Sequence, residues 1–177
     1  SQYNVQHMDM NGNSELTVPQ NTLGAELRQL ENKQWEQITL PHTPFVEPLT
    51  VLHQWQGICY YKKKITITPE EAKKHIWIEF EGAMHLADVW INGKHVMQHA
   101  GGYTPFVVDA TGLLKTGKEN ELLVRLDNRN NSLIPPGKPL ETLDFCYYGG
   151  IYRNVHLIAK ADVHITCLLY TSDAADD

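Results

Sequence analysis

Several common kinds of chemistry have no foothold in this sequence. There is no glycine-rich phosphate loop, no H-E-x-x-H, no G-x-S-x-G, and no helix-period run long enough to carry one. Basic residues are few: 15 Lys and Arg stand against 21 Asp and Glu, a formal charge of −6. Phosphate binding runs on clustered Lys and Arg, so no nucleic-acid partner is expected. No stretch approaches the roughly 18 consecutive apolar residues of a membrane helix, and no membrane partner is expected either. The chain opens Ser1-Gln2-Tyr3 without a charged-then-apolar leader, which decides little about its compartment.

Cysteine is equally sparse. Cys59, Cys146 and Cys167 cannot all pair and form no C-x-x-C motif, so they read as small buried apolar residues. Histidine is more abundant, at nine, and the closest metal candidates are His95 and His99. They lie in strand-like sequence, where four residues span about 13 Å, too far to share an ion directly. No metal and no cofactor are expected.

What is present is a two-residue hydrophobic period. Ile76, Ile78 and Phe80 alternate with Trp77, Glu79 and Glu81, as on a strand with two different faces. The same pattern recurs over Leu86–Ile91, Glu121–Asp127 and Val155–Ile158. Turn residues punctuate these runs: Asn92-Gly93, Gly101-Gly102, Thr116-Gly117 and Gly149-Gly150. Asn92-Gly93 predicts a tight hairpin, because both central residues of a type I′ turn need positive φ. Helix signals shrink to Thr68-Pro69-Glu70-Glu71, a capping box with room for about one turn. At 177 residues, with 42% hydrophobic composition, the chain suits a single globular domain. The predicted class is all-β, an antiparallel β-sandwich.

The expected organisation has three parts. Residues 1–34 are polar and weakly periodic, an irregular lead-in with an early strand or two. Residues 35–166 form the sandwich. Residues 167–177 break the pattern and resemble translated sequencing-adapter read-through, so the natural protein is expected to continue beyond about Thr166. Without the three aspartates of that tail the charge would be −3 rather than −6.

Candidate chemistry is confined to a few places. Glu79 and Glu81 share a strand face about 6.6 Å apart at the backbone, a spacing open to paired-carboxylate catalysis. Beside Trp77 on the outward face they read instead as solvated or interface carboxylates. Lys62-Lys63-Lys64 reads as a charged edge strand that resists edge-to-edge pairing. Asn130-Asn131-Ser132 fits a glycosylation acceptor only formally.

The informative segment begins at Pro135-Pro136-Gly137-Lys138-Pro139 and runs through Leu143-Asp144-Phe145-Cys146-Tyr147-Tyr148-Gly149-Gly150-Ile151-Tyr152-Arg153. A stiff proline-rich excursion delivers one acid, Asp144, among Phe145, Tyr147 and Tyr148, and a double glycine then turns the chain into a strand. An aromatic face can stack on the C–H face of a sugar while a carboxylate accepts from its hydroxyls. The same residues also suit a buried structural aspartate, and composition alone leaves both readings open.

A family resemblance rests on these motifs taken in order: Leu40-Pro41-His42-Thr43, Glu81-Gly82-Ala83, Val89-Trp90-Ile91-Asn92-Gly93, His99-Ala100-Gly101-Gly102-Tyr103-Thr104-Pro105-Phe106 with Asp109, and Asp144-Phe145 through Gly149-Gly150-Ile151-Tyr152-Arg153. From about Trp35 to Ile165 the chain resembles the N-terminal sugar-binding domain of glycoside hydrolase family 2, which includes β-galactosidases, β-glucuronidases and β-mannosidases. The resemblance implies a jelly-roll, galactose-binding-like sandwich followed by an immunoglobulin-like domain and a barrel bearing the two catalytic glutamates. No catalytic residue is therefore expected in this chain, and the expected partners are a carbohydrate and those downstream domains.

By position the family's sugar-contacting aspartate is Asp144. Tyr147, Tyr148 and, more loosely, His42 complete the candidate substrate-binding set. Arg153 is expected to hold the local fold, Gly93, Gly101 and Gly102 to make turns, and Phe80, Val89, Tyr103 and Phe106 to build the core. A bacterial periplasmic or secreted setting is slightly favoured over the cytoplasm. β-Galactosidase is the leading parent activity. A free-standing carbohydrate-binding module and a structural interdomain unit are the alternatives.

Overall fold

A computed structural model describes residues 2–8, 30, 35–44, 55–139, 142–143, 145 and 148–161. Among the described residues nine strands carry the fold: β1 Gln2–Met8, β2 Glu36–Thr39, β3 Ile58–Ile65, β4 His75–Phe80, β5 Leu86–Ile91, β6 Lys94–Ala100, β7 Phe106–Asp109, β8 Asn120–Asp127 and β9 Val155–Lys160. They form a six-stranded sheet in the order β2-β1-β3-β8-β5-β6 and a three-stranded sheet in the order β7-β4-β9. Every strand pairing is antiparallel. The expected antiparallel sandwich is thus what the chain forms. The early strand β1 is interior, lying between β2 and β3.

The core lies where the alternation of apolar residues points it. Ile76, Ile78 and Phe80 of β4 face Cys59 and Tyr61 of β3, Ala87, Val89 and Ile91 of β5, and Leu122, Val124 and Leu126 of β8. Phe80 stacks on Phe106 with centroids 4.6 Å apart, and His99 stacks on the same ring at 4.5 Å. Burying an aromatic side chain of this size stabilises the fold by about 2–3 kcal/mol. Tyr103, expected in the core, is instead 51% exposed. Gly102 packs so closely on Met84 that the turn carries the next side chain outward, and His99 takes the place beside Phe106.

The hairpin and the capping box form as the sequence requires. Asn92 and Gly93 have φ of 51° and 79°, joining β5 to β6. Thr68 N donates to Glu71 Oε2 at 2.8 Å and Glu71 N donates to Thr68 Oγ1 at 3.2 Å, opening a single 3-10 turn over Glu71–Lys73.

Strand β5, the first half of β3 and the second half of β8 are buried on both faces, which the alternating pattern does not announce. Away from the core, Ile58, Tyr60 and Leu123 pack with Leu30 and Trp35. Asp88, Arg125, Asp127 and Arg129 share that outer face as a buried ionic chain. Arg125 lies 3.6 Å from Asp88 and 3.5 Å from Asp127, and Arg129 Nη2 lies 2.7 Å from Asp127. The lysine run also departs from its edge-strand reading. Lys62 is paired to β1 on one side and β8 on the other. Its charge meets Glu121 at 2.7 Å, and that of Lys64 meets Glu119 at 2.8 Å. Cross-strand neutralisation accounts for these charges better than edge protection does.

Candidate functional site

The connection from β8 to β9 is the long excursion, and both of its feet meet at Asn128. On the outgoing side Asn128 Oδ1 accepts from Gly57 N at 2.8 Å, and Nδ2 donates to the Trp55 carbonyl at 3.0 Å. Its own backbone N–H donates to Gly57 O at 3.2 Å. Next to it, Arg129 forks onto Asp127, with Nε at 2.9 Å from Oδ1 and Nη2 at 2.7 Å from Oδ2. Gln56 Nε2 adds a bond to Asn130 Oδ1 at 2.9 Å, so that side chain of the formal glycosylation motif is engaged inside the fold.

On the return side the chain passes through a slot that only glycine fits. A Cβ on Gly149 would lie 2.6 Å from Asn128 Nδ2. A Cβ on Gly150 would lie 2.5 Å from the Tyr61 hydroxyl and 2.7 Å from the His42 carbonyl, and its φ of 97° is a conformation that favours glycine. Met84 N then donates to Gly150 O at 3.0 Å, Ile151 N to the Tyr61 hydroxyl at 3.4 Å, and His42 N to Ile151 O at 2.8 Å. Two residues on, the Tyr152 hydroxyl donates to Gly102 O. Leu143 packs with Met84 and Tyr152, holding the segment just before Asp144.

The candidate residues divide accordingly. His42 is brought to the foot of the excursion, where its Nδ1 and the Tyr61 hydroxyl lie 3.0 Å apart in a hydrogen bond. Burial pushes the Tyr61 hydroxyl well above its ordinary range, so it keeps its proton. Tyr148 is half-buried beside Gly149, and Phe145 is exposed. Asp144, Cys146 and Tyr147 lie outside the described residues, as do Cys167 and the tail that follows it. Arg153 lies over the Tyr152 ring at 5.9 Å.

The other candidates are engaged elsewhere. Glu81 accepts from Asn154 and lies 3.1 Å from His156 Nε2, which holds its carboxyl below the ordinary value. It ties the end of β4 to the start of β9 rather than forming a catalytic pair with Glu79. His95 lies on Asp88 at 2.9 Å, while His99 lies beside Thr104 and Phe106. No group of three His, Cys, Asp or Glu among the described residues could hold a metal ion. No helix of the described residues is long and apolar enough to cross a membrane, which says nothing of β-barrels.

Tyr61 and Asn128 are the site residues that the sequence pattern did not flag. Ile58-Cys59-Tyr60-Tyr61, a continuous apolar run behind Gly57, carries the signal of a strand buried on both faces. Asn128 follows the alternating run of β8 with no local signal of its own.

The profile of "Glycosyl hydrolases family 2, sugar binding domain" matches residues 7–161. The chain belongs to that family. Among family 2 relatives it is similar to a β-galactosidase of Thermoanaerobacter pseudethanolicus, 33% identical over 92% of this chain and 22% of that protein. It is also similar to a β-glucuronidase of Bacteroides fragilis, 37% identical over 76% of this chain and 19% of that protein. The chain thus spans about a fifth of these curated relatives.

Among solved structures, a putative β-galactosidase from Bacteroides fragilis superposes with a TM-score of 0.65 at 28% identity, over 89% of this chain and 24% of that one. A β-glucuronidase from an uncultured Clostridium species gives 0.69 at 22% identity, over 91% and 28%, a likeness of fold. The relatives of this family 2 sugar-binding domain carry both activity names.

Proposed function

We propose that this domain lends the excursion between β8 and β9 to the substrate pocket of an exo-glycosidase, with Asp144 accepting hydrogen bonds from sugar hydroxyls. Tyr147 and Tyr148 offer aromatic faces beside it, and His42 stands at the loop's foot. The hydrolytic glutamates belong to a downstream barrel, reached through an immunoglobulin-like domain, so this domain shapes a pocket without cleaving a bond itself. The preferred sugar in this reading is a β-galactoside, in line with the β-galactosidase relative that matches along most of the chain. The β-glucuronidase relatives make glucuronate the competing ligand.

The observation that carries the reading is the pinned foot. The Gly149-Gly150 return, which follows the aromatic and acidic segment in sequence, is enclosed by Asn128, Tyr61 and His42.

The test is an amide-resolved NMR titration of the chain with galactose, glucuronate and mannose. Shifts centred on residues 143–151, larger with galactose and lost in Asp144→Ala, are expected. Larger shifts with glucuronate would replace the sugar, and a dispersed spectrum unmoved at ~50 mM of any sugar, an affinity weaker than about −2 kcal/mol, would overturn the reading for this domain.

A further inference from the structure

The Tyr61 side chain belongs to the sheet, yet its hydroxyl serves the loop. It lies 3.0 Å from His42 Nδ1, accepts from Ile151 N at 3.4 Å, and would lie 2.5 Å from a Cβ on Gly150. Asn128 does the same for the preceding residue. Its amide is fastened to Gly57 and Trp55 and closes on Gly149. Two buried polar groups, one on β3 and one just past the end of β8, therefore grip successive glycines, while Asn128 is also the point from which the excursion departs. Neither group is needed to cover the core, since phenylalanine would fill the Tyr61 site as well.

We propose that Tyr61 and Asn128 are positioning residues that fix the Gly149-Gly150 return, and that sugar binding depends on this fixed return. The proposal rests on the sugar-pocket reading above and adds to it the device that fixes the loop's return. His42 is then engaged in holding Tyr61 and the Ile151 carbonyl. Binding geometry of this kind is sensitive to displacements on the order of 1 Å, so a loosened foot weakens binding without any lost sugar contact.

The experiment compares the wild-type chain, Tyr61→Phe and Val124→Ala. Each is followed by thermal melting, by hydrogen exchange of the amides at 149–151, and by the titration with galactose and with glucuronate. Tyr61→Phe keeps the ring and a cooperative melt. It is expected to speed exchange at Gly150 and Ile151 at least tenfold and to weaken sugar affinity about fivefold or more. Val124→Ala, a core truncation on β8, is expected to lower the melting temperature while leaving sugar affinity within twofold of wild type.

Unchanged exchange in Tyr61→Phe, or faster exchange with unchanged affinity, would overturn the positioning role alone. Equal weakening of affinity by Val124→Ala would show a general stability effect and overturn it as well. A wild-type chain without any sugar response would overturn the pocket reading, and the positioning role would fall with it.

Discussion

Asn92 donates a hydrogen bond to Asn120, Nδ2 to Oδ1 at 2.9 Å, linking the β5–β6 hairpin to the start of β8. Asn120 is buried and its amide is fully engaged. Oδ1 also accepts from Lys115 N at 2.7 Å, and Nδ2 donates to the carbonyls of Ile65, Lys115 and Lys118. Asn92 Oδ1 in turn accepts from Glu121 N. Asn120→Ala should therefore cost about 3 kcal/mol in urea unfolding, the scale of leaving buried polar groups unsatisfied. Asn120→Asp should cost at least as much, because a carboxylate would face three carbonyl oxygens. A loss below 1 kcal/mol for both would show that this hub is dispensable.

Two glycines with positive φ should respond very differently to alanine. Gly93 has open space around its missing Cβ, so Gly93→Ala carries only the left-handed backbone penalty of about 1–2 kcal/mol. Gly150 combines a φ of 97° with the Tyr61 hydroxyl, the His42 carbonyl and Pro44 Cδ, all within 2.8 Å of a Cβ. Overpacking added to backbone strain predicts a loss of about 3–5 kcal/mol for Gly150→Ala. Equal melting temperatures for the two variants would refute the tight slot.

A buried histidine should make stability fall in mild acid. Burial lowers the pKa of His85 to about 4 from its ordinary 6.5, with the nearby Asp127 charge pulling weakly the other way. Between those values the unfolded chain binds the proton and the native chain does not, so stability is complete above pH 6.5 and declines as pH falls toward 4. The decline attributable to this residue is about 3 kcal/mol. His85→Gln should flatten that part of the profile. The Glu81 and Asp109 carboxyls, lowered by His156 and Thr111 respectively, contribute their own losses at lower pH.

The Cys59 thiol is buried on β3, and desolvation pushes its pKa far up. Since the thiolate is the nucleophile, Cys59 should resist iodoacetamide at pH 8 in the native chain and react fully in urea. Peptide-level mass spectrometry reads this directly. Substantial native labelling of the Cys59 peptide would mean that β3 opens far more often than its central place in the sheet implies.

Legibility in the sequence followed the range of the interactions. The β4 alternation, the Asn92-Gly93 turn and the Thr68–Glu71 capping box depend on residues within a few positions of each other, and the fold realises all three. The errors arose where a second layer or a distant partner decides the outcome. Asp88 occupies a polar position of an alternating strand, yet Arg125, 37 positions away, sits beside it in a buried ionic chain. Lys62 looks like edge protection until β1, more than 50 residues upstream, is found alongside it. Tyr103 lies close in sequence to Phe106, yet it is His99 that stacks on that ring, with Gly102 packed on Met84 between them in the chain. For the site, Gly149-Gly150 was visible as a turn, whereas Tyr61 and Asn128, which require it, became visible only in three dimensions.

The meeting of both feet at Asn128 and Gly149 has an evolutionary corollary. Asn128 and Gly149 lie side by side, so the chain between them is inserted at a single point of the sandwich. Lengthening such an insert costs only closure entropy, about 0.6 kcal/mol per doubling. A lineage built on this frame can thus vary the length and content of that insert while the strands beneath stay as they are.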